Sequence, residues 1–395
     1  MDENYLLIKK RNMKKFYFLF VGLLLSFSLA FHSNIYSQKK GKHSKKVEIG
    51  ESIKISSKIL DEDRVLLISK PINSQMFDYK YPVIYLLDGE SHFRHVASLV
   101  HYLASHGVIP NMLVVGIRNV NRDRDFTPTS IEKIKTTGGA DKFLDFLADE
   151  LIPYIDKNFN TEPYRILVGH SLGGVFASYT LLKKPELFNS YMAISPYLAF
   201  DNDFVVNMTQ EKLPESFANM TNFFMTLADE KSYLPSIEQY KSIIHKKNPK
   251  NLNFNFKSFE DESHMTTPHI SFYYGIKSIF EKWQFSEETY AKGLPAIKEH
   301  YKKLSAALGY NVEIPEDVLN MLGYNELYKN KNTDKALEIF EMNAQKYPNS
   351  WNVYDSLAEA YLMKTEKEKA MKYYKKSLKL NPDNENAEKM LKKLK

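Results

Sequence analysis

Short apolar runs alternate with helical stretches through the middle of the chain. The apolar runs predict buried strands, at residues 83–87, 112–117, 165–168, 191–194, 223–227 and 254–259. The stretches between and after them predict helices, at residues 93–104, 141–159, 173–184, 235–246 and 270–283. Two earlier runs, 47–59 and 64–69, predict an antiparallel pair. Strands that alternate with helices indicate a mostly parallel sheet with helices on both faces, over residues 47–285.

The C-terminal part of the chain has a different pattern, with a repeat of 34 residues. Small, aromatic and proline positions recur at this spacing, as Ala336, Phe340 and Pro348 and then Ala370, Tyr374 and Pro382. This order and period are typical of tetratricopeptide repeats. We therefore expect repeats over residues 315–395 and a helical connector over 286–314. Two repeats are fewer than the three that are needed for independent stability, so we expect this tail to pack on another part of the protein.

The N-terminus has the pattern of a secretory signal peptide. Lys14 and Lys15 precede an apolar run of about 16 residues, which is shorter than the ~20 that cross a bilayer. We expect a signal peptide over residues 1–37, cleaved after Ser37, and a basic linker over 38–46. An uncleaved membrane anchor is the alternative. The sequence thus predicts a secreted or periplasmic protein.

Composition and charge narrow the chemistry. The chain has 395 residues and no cysteine, which excludes disulfides, thiolate metal sites and a cysteine nucleophile. Residues 1–37 hold five basic and two acidic residues, so they supply +3 of the net charge of +6. The remaining +3 is too small to indicate nucleic-acid binding. No phosphate-binding loop, dinucleotide fingerprint or metal-spaced histidine cluster is present, so we expect no cofactor and no metal.

One motif carries the strongest chemical signal. Residues 169–174 read Gly-His-Ser-Leu-Gly-Gly, directly after a predicted strand and directly before a predicted helix. A Gly-x-Ser-x-Gly in this setting is typical of the nucleophile elbow of α/β-hydrolases. The serine sits on a strained turn that leaves no room for flanking side chains, and the helix that follows directs its positive end at the site. We therefore expect Ser171 to be a nucleophile.

A serine nucleophile needs a base that is held by an acid, and in this fold both follow it along the chain, the acid first. Asp229 and Glu230 come after the strand at 223–227, and we prefer Glu230 over Asp229. His264 is the first histidine after the strand at 254–259, and His269 is the alternative. For the oxyanion we expect the main-chain N–H of Leu172 and a second donor from the loop at Gly89 and Glu90, with the Glu90 N–H preferred.

Several landmarks together resemble one branch of the α/β-hydrolases, the "Putative esterase" family. They are Tyr85-Leu86-Leu87-Asp88-Gly89, Val115-Gly116-Ile117 with 122–128, the elbow at 169–174, and Ile194-Ser195-Pro196. The branch includes enterochelin-type siderophore esterases, esterase D, feruloyl and acetylxylan esterases and mycolyltransferases. The resemblance covers about residues 50–285 and implies a triad of Ser171, an acid near Glu230, and His264. Two departures stand out: Tyr197-Leu198-Ala199-Phe200 replaces a tryptophan pair, and no glycine precedes Asp229.

The sequence as a whole predicts an exported serine hydrolase that cleaves siderophore-, feruloyl- or acetyl-type esters. One alternative is an acyltransferase of the same fold, in which an alcohol intercepts the acyl-enzyme. Another is an inert scaffold that binds a partner through the repeat tail. The tail could also cover the mouth of the site or mediate self-association. Neither the acyl and alcohol parts of the substrate nor the oligomeric state follow from the sequence.

Overall fold

The computed structural model describes residues 47–71 and 79–394. The expected signal peptide and linker, residues 1–46, lie outside the described residues. The chain divides after Glu48 into two compact units, and the architecture below is that of the second, Ile49–Lys395. Among the described residues, no helix is both long enough and apolar enough to cross a membrane.

An eight-stranded mixed sheet forms the centre of the protein. In chain order its strands are β1 (Glu51–Ser57), β2 (Glu62–Ser69), β3 (Tyr81–Leu86), β4 (Leu113–Ile117), β5 (Thr161–His170), β6 (Ser190–Ile194), β7 (Ser216–Ala228) and β8 (Lys250–Phe259). In space they follow the order β1-β2-β4-β3-β5-β6-β7-β8. β2 pairs antiparallel with β1 and β4, and all pairings from β4 to β8 are parallel. Every residue of β3, β4 and β6 is buried, which explains why these strands read as continuous apolar runs.

Helices cover both faces of the sheet, which confirms the predicted α/β-hydrolase class. They are α1 (Gly89–Ser105), α2 (Arg122–Phe126), α3 (Ala140–Phe146), α4 (Ile152–Asn158), α5 (Leu172–Lys183), α6 (Phe200–Lys212), α7 (Leu234–Lys247) and α8 (Thr267–Ile279). A π-helical turn at Leu147–Leu151 joins α3 to α4. One apolar core lies between the sheet and helices α3 to α7, and a second lies between the sheet and α1 and α8.

Two helices were missed by the sequence reading. α2 has only five residues, and its start is capped by Asn121, whose side chain accepts from the N–H of Arg124. Such a length is too short to show a helical period. Near the start of α6, the polar residues Asp201, Asn202 and Asp203 adopt left-handed conformations. This segment therefore lacks the apolar pattern of a regular helix.

The C-terminal part of the protein is entirely helical within the described residues. Its helices are α9 (Glu287–Ala291), α10 (Leu294–Leu308), α11 (Glu316–Tyr324), α12 (Thr333–Lys346), α13 (Trp351–Met363), α14 (Lys367–Leu380) and α15 (Glu385–Leu394), with a π-helical turn at Asn325–Lys329. The residues of the 34-residue pattern are buried between these helices: Ala336, Phe340, Ala370 and Tyr374 are at most 1% exposed. Small side chains at 336 and 370 therefore let paired helices approach closely.

The tail packs on the hydrolase unit, as the repeat count led us to expect. Side chains of α10 to α13 share one apolar core with α1, α8 and the sheet. The Tyr347 ring meets Tyr79 edge-on at 5.8 Å, just before β3, and Tyr310 lies 6.1 Å from Tyr164 in the first half of β5. Both contacts lie at the N-terminal ends of the strands. The tail is thus docked at the end of the sheet opposite to that from which Ser171 emerges.

This shared core makes a prediction about stability. Ile297 on α10 is fully buried in it, so Ile297→Ala should lower the free energy of unfolding by about 2–5 kcal/mol. Met321→Ala, at a position that is 42% exposed, is the matched control and should change it by about 0.5 kcal/mol or less. Urea unfolding followed by tryptophan fluorescence and circular dichroism should give one shared transition. Separate transitions for the sheet and the tail would contradict the shared core.

Candidate active site

Ser171 is the single residue between β5 and α5 and forms a tight bend there. Its backbone has φ 59° and ψ −117°, a strained conformation for a residue with a side chain. Its N–H donates to the carbonyl of Ile194 at 2.9 Å, at the end of neighbouring β6. The bend therefore lifts the serine hydroxyl above the carboxyl ends of the parallel strands, where ligands bind in open α/β sheets.

Two of the three glycines around Ser171 are required by close packing. A Cβ at Gly169 would lie 2.0 Å from the carbonyl oxygen of Gly173, and one at Gly174 would lie 2.9 Å from Pro196. A Cβ at Gly173 would make only ordinary contacts, the nearest at 3.4 Å from Asp88. The expectation that no flanking side chain fits thus holds for positions 169 and 174 and is wrong for position 173.

His264 and Glu230 meet at the same end of the sheet. The Nδ1 atom of His264 lies 2.5 Å from Oε1 of Glu230, whose side chain is 9% exposed. With Nδ1 directed at a carboxylate, the ring proton belongs on Nδ1 and Nε2 is left to accept a proton. Asp229 instead has an exposed side chain, and its N–H donates to the carbonyl of Glu262, which ties the acid loop to the loop of His264.

Tyr233 and His170 connect this pair to Ser171. The Tyr233 ring lies 5.7 Å from that of His264, and its hydroxyl lies near the side chain of Ser171. Burial, followed by the nearby Glu230 carboxylate, raises the pKa of Tyr233, so its hydroxyl stays protonated. The ring of His170, the residue before Ser171, lies 4.4 Å from that of His264. These contacts bring the serine, the imidazole and Glu230 into one cluster.

An ion pair fixes the loop on the other side of Ser171. Arg122 binds the carboxylate of Asp88 through both oxygens, at 2.7 and 3.0 Å, and donates to the carbonyl of His170 at 3.1 Å. Asn119 also donates to Asp88, at 2.7 Å. Because Asp88 precedes α1 and His170 precedes Ser171, Arg122 joins the start of α1 to the serine bend.

The expected oxyanion donors lie at the starts of two helices. Leu172 is the first residue of α5, and Gly89 and Glu90 are the first two of α1. The first N–H groups of a helix have no acceptor within it, so they are available to a ligand. The Glu90 carboxylate accepts hydrogen bonds from Asn119. The group of Glu90 that could donate to an oxyanion is therefore its main-chain N–H. A Cβ at Gly89 would lie 2.8 Å from Gly116, so this glycine also lets α1 approach β4.

A row of neighbouring imidazoles continues from His170. His92 lies 5.3 Å from His170, His95 lies 5.4 Å from His92, and His269 lies 5.4 Å from His95, measured between ring centres. Burial, followed by neighbouring imidazoles, lowers the pKa of His95 to about 4. His269 thus lies against His95, whereas His264 is the histidine that contacts Glu230. Among the described residues, no group of three or more histidines and carboxylates is arranged to hold a metal.

The sequence reading singled out some of these residues and missed others. Arg122, within 122–128, and Ser195 are marked by the sequence only as family landmarks, without a role for either. Ser195 is fully buried and accepts from the N–H of Ala228 at 3.0 Å, which positions the acid loop. No motif or spacing in the sequence indicates Tyr233, which is recognised only through its contacts in the structure.

Comparison with known proteins confirms the resemblance noted from the sequence. Residues 57–249 match the family model described as "Putative esterase", and residues 351–384 match "Tetratricopeptide repeat". The ferri-bacillibactin esterase BesA of Bacillus subtilis is 35% identical over 33% of this chain and 52% of its own length. The siderophore enterobactin esterase of Emericella nidulans is 30% identical over 30% and 47%. The chain thus spans about half the length of these curated relatives.

Solved structures agree in fold. An IroE-like serine hydrolase from Shewanella oneidensis is 28% identical with a TM-score of 0.66, over 75% of this chain and 99% of that one. The BES protein from Bacillus cereus is 27% identical with a TM-score of 0.55, over 61% and 98%. The all-helical tail lies beyond the matched esterase region.

The packing at the bend predicts different tolerances at two adjacent glycines. Gly169→Ala should lower the free energy of unfolding by several kcal/mol, because its Cβ would overlap the Gly173 carbonyl and force the backbone to move. Gly173→Ala, the matched control, should change it by about 1 kcal/mol or less. Chemical denaturation of both variants checks this. Equal stabilities would show that the bend tolerates a side chain at position 169.

Proposed function

On this likeness, we propose that the protein is an exported serine hydrolase that cleaves carboxylic esters through a triad of Ser171, His264 and Glu230. The matched family and its named relatives, which include esterases and a serine hydrolase, support this activity. The observation that carries the proposal is the pairing of His264 with a shielded carboxylate beside a serine on a strained bend. A scaffold protein would have no need of that strain.

In the proposed reaction, the Ser171 hydroxyl attacks the ester carbonyl while Nε2 of His264 takes its proton. Glu230 keeps the ring oriented and stabilises the imidazolium that forms. The N–H groups of Leu172 and of Glu90 donate to the oxyanion, and one such donor typically contributes about 3 kcal/mol to lowering the barrier. The imidazolium then protonates the leaving alcohol. Water attacks the acyl-enzyme by the same steps and releases the acid.

Arg122 acts in this scheme as a positioning residue. It holds the start of α1, with one proposed oxyanion donor, against the residue that precedes the nucleophile. Both donors are therefore fixed relative to Ser171 before substrate binds, which is the condition for electrostatic stabilisation of a transition state.

The ester type, the export and the partner of the tail are also part of the proposal. Relatives named as siderophore esterases support an ester substrate of the siderophore, feruloyl or acetyl type. The basic start and apolar run of residues 1–37 support export to the periplasm or the medium. The repeat tail supports a protein partner or self-association.

Removal of the nucleophile tests the activity directly. Ser171→Ala should reduce turnover of p-nitrophenyl acetate by at least about a thousandfold and abolish labelling by a fluorophosphonate probe, with the fold retained. Ser98→Ala, at an exposed position on α1, is the control and should react as the unchanged protein does. Undiminished turnover by Ser171→Ala would reject the proposed nucleophile.

The base makes a second prediction, about pH. The value of kcat/KM should be lower at acidic than at neutral pH, because only a neutral imidazole can accept the serine proton. Burial, followed by the neighbouring imidazoles of His264 and His92, lowers the pKa of His170 to about 3, so His170 stays neutral above pH 5 and does not contribute to this fall. Initial rates from pH 5 to 8 measure the profile. A flat profile would argue against His264 as the base.

A further inference from the structure

Exposed apolar side chains lie close in sequence to the residues of the proposed site. Four of the large hydrophobic residues that are most open to solvent are Val120, Tyr197, Leu234 and Met265, which are 56%, 38%, 43% and 77% exposed. Each lies within three residues of a side chain in the site. Val120 precedes Arg122, Tyr197 follows Ser195, Leu234 follows Tyr233, and Met265 follows His264. Exposed apolar patches in such a place mark binding surfaces.

Two aromatic rings extend this surface to the nucleophile. Tyr197 packs on Tyr233 with 5.0 Å between ring centres, and Tyr233 in turn contacts His264 and the hydroxyl of Ser171. The main-chain N–H of Tyr197 also approaches the carbonyl of Ser171, at 3.4 Å. An apolar group attached to an ester at Ser171 would therefore lie along the two tyrosines.

Acidic residues outnumber basic ones in the loops that carry the site residues. The loops that carry the site residues are 88–90, 122–125, 229–231 and 260–264, and together they hold nine acidic and three basic residues, a net −6. The whole chain carries +6. Two of the three basic residues are already paired, Arg122 with Asp88 and Arg124 with Glu62 and Asp125. Glu260 and Asp261 are exposed directly before His264.

We propose that the site selects an uncharged ester with an apolar part that lies along Tyr197 and Tyr233 and extends over Leu234 and Met265, and that it disfavours negatively charged esters. This inference rests on the proposed function and narrows its substrate. The apolar rim stabilises a bound hydrocarbon or aryl group by removing it from water. The acidic loops repel anions from the same mouth, an effect that salt screens.

Matched thioesters test both parts of the proposal. Acetyl and hexanoyl thioesters of 2-mercaptoethanol are uncharged, and those of 2-mercaptoethanesulfonate carry one negative charge; the released thiol is measured in each case. At low salt, the uncharged hexanoyl thioester should have kcat/KM about tenfold above its anionic partner and above the uncharged acetyl thioester. In 0.5 M salt the gap between uncharged and anionic thioesters should shrink to about threefold or less.

Two pairs of variants assign these preferences to the residues named. Glu260→Gln/Asp261→Asn/Glu262→Gln should reduce the difference in kcat/KM between uncharged and anionic thioesters several-fold. The control Glu338→Gln/Glu368→Gln/Glu385→Gln, at three exposed acids of the tail, should leave this difference unchanged.

Leu234→Ser should reduce the ratio of hexanoyl to acetyl turnover about fivefold or less. Met363→Ser, at a 53% exposed position of the tail, is its control.

The outcomes separate this inference from the proposed function. If the unchanged protein hydrolyses none of the thioesters and no p-nitrophenyl ester, the proposed function fails. If it hydrolyses them with equal kcat/KM for anionic and uncharged forms, or without preference for hexanoyl, the activity stands and the inference is overturned. Equal effects of the mouth and tail triple variants would overturn the assignment to Glu260, Asp261 and Glu262.

Discussion

The close approach of the Gly169 and Gly173 backbones is the constraint on which the site depends. It lets α5 begin directly at the end of β5, and it forces Ser171 into a conformation that regular strand or helix would never impose. The surrounding structure holds this strain in place, because Ser171 donates to β6 and Arg122 binds the carbonyl of the preceding residue. The proposed base, acid and oxyanion donors all take their positions relative to this bend.

Much of the fold could be read from the sequence, because the local signals agree with the final structure. Buried strands such as β3 and β4 are apolar on both faces, so their continuous apolar runs predict strands clearly. The glycines of the nucleophile elbow likewise indicate a tight bend with little room for side chains. Helix α2 was missed because its five residues are held by a side-chain cap and by tertiary pairing of Arg124 with Glu62, which lies 62 positions away. No local pattern encodes such a contact.

The same distinction applies to the candidate site. The chain order of serine, acid and histidine pointed to Glu230 and His264, and the structure places their side chains 2.5 Å apart. The sequence offers both Asp229 and Glu230 as the acid, since both follow β7 directly. In the structure they differ because the backbone of Asp229 pairs with Glu262, whereas the side chain of Glu230 contacts His264. Tyr233 and the pairing of Arg122 with Asp88 depend on where loops meet, which spacing along the chain does not determine.

The docking of the repeat tail at the N-terminal ends of the strands has a consequence for how the molecule can be held. From Tyr164, beside the tail, to Ser171 the strand advances seven residues, or about 23 Å. A structure that binds the outer helices of the tail would thus hold the protein at the end of the sheet opposite to Ser171. Such attachment and the chemistry proposed at Ser171 would use opposite ends of the molecule.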